Sequence, residues 1–149
     1  MSTSLPSLPR PRLVNLSMML AFFSALAGAA SLFMVMPKMM ENLGEQGLPV
    51  DELGSGILYG GAIGGVVMVA IFCFFIARGS NVARWVWALF AAYGAVSAPG
   101  SIATALNIST LFAGVGIVLQ LLSIASTVLL FMPESGAWFK AVKLARTLS

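Results

Sequence analysis

The sequence predicts an all-α polytopic membrane protein. Its core is a four-transmembrane-helix bundle of two hairpins, followed by a short C-terminal interfacial amphipathic helix. Three observations lead there. First, 59% of the 149 residues are hydrophobic, 9% are charged, and mean hydropathy is +0.97. A soluble domain carries roughly 25% charged residues, so this chain cannot clothe a water-facing surface. The same balance excludes disorder for most of the chain. Second, four apolar stretches reach the roughly 20 residues that cross a hydrocarbon layer of about 30 Å. Third, no Asp, Glu, Lys or Arg lies within those stretches.

Residues 1–12 hold three prolines and two arginines. Proline removes helix hydrogen bonds, so this segment reads as a disordered tail. The first span covers about 13–36. Arg10 and Arg12 ahead of it, with small residues at 27–29, imitate a signal peptide. The apolar run is too long for one, so it reads as an uncleaved span ending at Pro37. Residues 37–53 form an acidic loop, with Asp51 and Glu52 placed to cap the second span, about 54–76. A turn at Gly79-Ser80-Asn81 leads to the third span, about 85–104, which Pro99-Gly100 should kink or end. A second turn at 107–110 leads to the fourth span, about 111–132. The apolar Trp138, Val142 and Ala145 follow at i, i+4 and i+7, apart from Lys140, Lys143 and Arg146. That pattern predicts a short amphipathic helix on the inner leaflet over 133–149.

Charge supplies the orientation. Seven of the eight basic residues flank the same ends of the spans, and Lys38 alone lies on the other side. The positive-inside rule then puts both termini in the cytoplasm. Arg84, Trp85, Trp138, Lys140 and Lys143 read as anchors in the headgroup layer. A net charge of +3 is thus accounted for by the lipid bilayer as partner. Nucleic acid would need a dense basic stripe, which is missing.

Two groups of residues mark helix faces. The second span carries Gly56, Gly60 and Gly64 at a spacing of four, with Gly61 and Gly65 beside them. Glycine lets another helix backbone approach closely. Ala21, Ala25 and Ala29, with Ser24 and Gly28, offer a matching small face on the first span. These faces are expected to pack the first two helices together, or to pair copies of the chain. In the fourth span Gly116, Gln120, Ser123 and Thr127 form one polar stripe. Gln120 should turn inward, because an amide facing lipid is costly. There it ties helices together or lines a path. Tyr59 and Tyr93 are further hydroxyl candidates for that interior.

Several chemistries fall away. There is no His and only one Cys. That removes Ser-His and Cys-His nucleophilic pairs, the commonest zinc ligand and any intrachain disulfide. Cys73, among Phe72, Phe74 and Phe75, reads as an inert packed thiol. No acid–base pair lies in a span, so neither catalysis nor proton coupling is expected. No cofactor or metal is expected.

The segments 75–85 and 131–139 both leave an apolar helix through Gly and Ser toward a tryptophan, as two duplicated hairpins would. Their motifs are Asn-x-Ala-Arg-Trp at 81–85 and Pro-x-Ser-x-Ala-Trp-Phe at 133–139. In these motifs the chain resembles a group of small four-span bacterial inner-membrane proteins of unassigned function. The resemblance implies a bacterial inner membrane and transfers no catalytic residue. The expected function is non-catalytic: an accessory subunit or an immunity-type protein, acting on a membrane-protein partner or as a homo-oligomer. The alternative is an oligomeric transporter or channel for small neutral solutes.

Overall fold

A computed structural model describes residues 9–45, 47 and 52–148. The chain forms α1 (Arg12–Glu45), α2 (Glu52–Ala77), α3 (Asn81–Ile108), α4 (Thr110–Phe131) and α5 (Pro133–Thr147), with no strand among the described residues. The first four are long and apolar enough to cross a membrane. Their surfaces are apolar too: Met34 and Val96 are each 83% exposed and Leu111 is 77% exposed. A soluble monomer rarely shows such continuous apolar surface, so lipid is what covers it.

Helices α1 and α2 form one hairpin, α3 and α4 the other. The hairpins join mainly through α1 against α4, and α2 touches α3 only lightly. Most of the buried core lies at the end shared by the start of α1, the end of α2, the start of α3 and the end of α4. There Val14, Val69, Ile76, Ala83, Trp87 and Leu130 pack with Trp138 and Phe139 of α5. Farther along, α1 and α2 are held by Phe33 stacked on Tyr59, with ring centroids 5.2 Å apart.

Helix limits depart from the sequence reading in three places. Helix α1 does not stop at Pro37 but runs on to Glu45. Proline forfeits one bond and bends the axis, but the Lys, Met, Glu and Leu residues that follow favour helix. At 34 residues α1 is about 50 Å long, so its end projects beyond a hydrocarbon layer. Much of the expected acidic loop is therefore helix. Gly47, at φ +72°, marks the turn after it. The expected cap at Asp51 lies outside the described residues, as do residues 1–8 of the expected tail.

Helix α3 likewise continues through Pro99 to Ile108. The hydroxyls of Ser97, Ser101 and Thr104 donate to the carbonyls of Tyr93, Ser97 and Gly100 at 2.8–3.1 Å. Hydroxyls that bind carbonyls locally help a membrane helix pass a proline. The turn expected at 107–110 shrinks to the single extended residue Ser109, whose N–H still bonds the Ala105 carbonyl at 2.9 Å.

The α2–α3 turn follows from one glycine. Gly79 has φ +76°. Ser80 N–H bonds the Phe75 carbonyl at 3.0 Å and Gly79 N–H bonds the Ile76 carbonyl at 2.8 Å, the Schellman pattern. Ser80 then caps α3, its hydroxyl accepting from the Ala83 N–H at 3.3 Å. A Cβ on Gly79 would sit 2.6 Å from Val142 Cγ1, so this turn also admits α5 against the bundle.

Candidate functional site

Three regions hold the residues that the sequence points to. The first is the glycine face of α2. Helices α1 and α2 do pack, but through other residues. The side of α2 turned inward carries Val69, Phe72, Cys73 and Ile76. Gly56, Gly60, Gly61 and Gly64 are exposed and Gly65 is half-buried. A Cβ added at any of the five would meet nothing within 4 Å. On a helix, residues two apart point about 200° apart, so the row Gly56-Gly60-Gly64 lies opposite the row containing Leu58 and Ala62. The expectation that the small face of α2 joins it to α1 is corrected for the row Gly56-Gly60-Gly64, which looks outward, whereas Gly65 stands one turn before Val69 at the inward side.

The small face of α1 is in use, but against α4. Ser17 and Ala21 are buried, and Ser24, Ala25, Gly28 and Ala29 are half-buried. The Ser17 hydroxyl donates to the Ser126 carbonyl at 2.7 Å, and the Ser126 hydroxyl donates to the Ser17 carbonyl at 3.0 Å. About two turns along, Ser24 donates to the Leu119 carbonyl at 3.1 Å. A Cβ on Gly28 would be 3.7 Å from Leu119 Cδ1. Hydroxyls buried in a bundle need acceptors, and these find carbonyls on the facing helix. The pairing of Ser17 with Ser126 was not anticipated. Its signal was the row Ser17, Ala21, Ser24, Gly28 at i, i+4, i+7 and i+11, which is the same face seen one turn earlier. Cys73 adds a long contact from α2, its thiol 3.8 Å from the Met18 carbonyl.

The second region is the polar stripe of α4. Gln120 does turn toward α3: its Nε2 and Oε1 are each 3.4 Å from where a Cβ would sit on Gly94. With Ser97, Ser101, Ala113 and Gly116 it lines a groove of about 260 Å³ between α3 and α4. Its Nε2 is buried without a hydrogen-bond partner among the described residues. Ser123 and Thr127 do not line this groove; the Thr127 hydroxyl is satisfied locally by the Ser123 carbonyl at 3.0 Å. Of the two hydroxyl candidates, Tyr93 is 73% exposed and Tyr59 is stacked on Phe33 between α1 and α2, so neither lines this groove.

The third region is the base formed by the two motif segments, 81–85 and 133–139. Helix α5 folds back beneath the bundle. Trp138 and Phe139 are buried and Val142 and Ala145 half-buried, whereas Lys140, Lys143 and Arg146 are exposed. Its apolar side is therefore packed on protein rather than laid into lipid. Trp138, at 9% exposure, is not placed as a headgroup anchor, since its ring belongs to the core cluster. Trp85 does face outward at 57% exposure, its ring edge-on to Phe131 at 5.0 Å. Arg146 donates to the Arg78 carbonyl and straps the end of α5 to the α2–α3 turn. The Ser135 hydroxyl donates to the Leu129 carbonyl at 2.8 Å and fixes its start.

Comparison with family models, with curated proteins and with solved structures finds no match for this chain.

Proposed function

We propose that the chain is a non-catalytic integral protein of a bacterial inner membrane that works by binding another membrane helix through α2. The observation that carries this reading is the open glycine face. Gly56, Gly60 and Gly64 lie on one side of a membrane-spanning helix with nothing within 4 Å of their Cβ positions. Lipid chains gain little there, whereas a second helix gains close backbone contact. An accessory subunit or an immunity-type protein fits such a surface. The apolar stretches 13–36, 54–76, 85–104 and 111–132 contain no Asp, Glu, Lys or Arg, which supports a role in association rather than catalysis or proton coupling. The bias of basic residues supports cytoplasmic termini.

A photo-crosslinking residue at Gly60, on the glycine face, tests this in native membranes. The expected product is larger than the monomer, and absent when the same residue is placed at Leu121, which is exposed on α4. Monomer alone from both positions would remove the reading. The mass of the product distinguishes a second copy from a foreign partner.

The groove at Gln120 favours a second reading, a path for small neutral solutes in an oligomer. An unpartnered amide with two neighbouring serines suits a neutral hydrogen-bonding solute. Flux into proteoliposomes that falls in Gln120→Leu would support it. No flux across a panel of neutral solutes would end it.

A further inference from the structure

Where α3 begins and α4 passes into α5, the base of the bundle holds a cavity of about 530 Å³. That is within the range of roughly 300–1,000 Å³ typical of small-molecule sites. Arg84, Lys140 and Lys143 supply its charge, and no acidic residue contributes to its lining. Glu134 sits on the first turn of α5, exposed and outside the lining.

Arg84 is held rather than free to wander. Its guanidinium carbon lies 4.0 Å from the ring centroid of Phe131 and 5.2 Å from that of Phe139. Its Nε is buried with no hydrogen-bond partner among the described residues. Gly136 forms the wall beside it, since a Cβ there would be 4.0 Å from Arg84 Nη1. The first turn of α5 is capped by no side chain, and a helix start favours an anion. Three cations around one cavity with no carboxylate repel one another unless an anion is present. A planar guanidinium fork with two ammonium groups matches phosphate oxygens. The apolar side of the cavity, Trp85, Phe131 and Met132, stands at the end of the apolar spans, where acyl chains leave a headgroup.

We infer that this cavity binds the phosphate of an anionic phospholipid headgroup, with Arg84 as the fixed fork and Lys140 and Lys143 closing on the remaining oxygens. The site is independent of what pairs with α2.

The full chain in mild detergent is titrated with short-chain phosphatidylglycerol, short-chain phosphatidylcholine and inorganic phosphate. Bound species are read by native mass spectrometry and binding by tryptophan fluorescence. The expected result is saturable phosphatidylglycerol binding, with phosphatidylcholine weaker by about tenfold or more. Lys140→Gln with Lys143→Gln, both exposed and therefore safe for folding, should weaken phosphatidylglycerol by a similar factor. Lys38→Gln, at the far end of α1, should change nothing. Equal binding of the two lipids, or binding unaffected by the lysine pair, would overturn the site. Inorganic phosphate binding as tightly as phosphatidylglycerol would overturn the lipid as its source.

Discussion

Gly79 answers to two constraints. Its positive φ disfavours any side chain, and the space where a Cβ would stand belongs to Val142. Gly79→Ala should therefore cost more than about 1 kcal/mol, beyond the usual penalty for alanine at positive φ. Denaturant unfolding in detergent measures it, with Gly60→Ala as the comparison that should cost far less. Ser17 and Ser126 allow a second check. They exchange two hydroxyl-to-carbonyl bonds across α1 and α4. Each acceptor is a backbone carbonyl that alanine keeps, so each bond is read by a single substitution: Ser17→Ala and Ser126→Ala should each cost about 0.6 kcal/mol in the same unfolding measurement, the average for a hydrogen bond between membrane helices. Both substitutions silent would mean the two helices do not meet there. Neither constraint was legible beforehand in full. Gly79 was readable as a turn, because Gly-Ser-Asn punctuates two apolar runs, but its contact with α5 is tertiary. Ser17 and Ser126 are 109 positions apart, and many serine pairings satisfy the same chemistry.

The helices themselves were legible because the requirement is one of length. Around 20 apolar residues must cross the hydrocarbon, and four runs do. Their ends were less so. Past Pro37 the sequence turns polar, and Pro99-Gly100 interrupts the third run, yet helix persists in both, because propensity and serine hydroxyls support it where hydropathy is silent. Which face of a span turns inward was the hardest to read. Lipid tails are as apolar as leucine, so hydrophobic periodicity no longer points to the interior. The small faces of α1 and α2 were both visible in the sequence, but that α1 spends its face on α4 was not. Helix α5 is different, since its charged side must stay wet. The remaining question was what takes its apolar side, and the answer is the bundle. Phe139, at 2% exposure, should cost about 3–5 kcal/mol on truncation to alanine. Leu144, at 62% exposure, should cost within about 0.5 kcal/mol. Thermal unfolding in detergent that shows both silent would mean α5 floats on the membrane surface.

Taken together, the helices form a bundle tight at one end, where α5 closes a core of aromatic and branched residues. It also presents a glycine row that its own chain leaves uncovered. The two properties separate folding from association. Substitution in the core disturbs the fold, whereas the glycine row has open space in front of it. The most direct test is therefore Gly60→Leu, compared with the parent chain for native mass in mild detergent and for unfolding temperature. The account predicts that the parent chain associates with a second helix, that Gly60→Leu loses this association, and that the unfolding of its isolated monomer is unchanged. Retained association in Gly60→Leu, or a monomer destabilised by the added side chain, would contradict it.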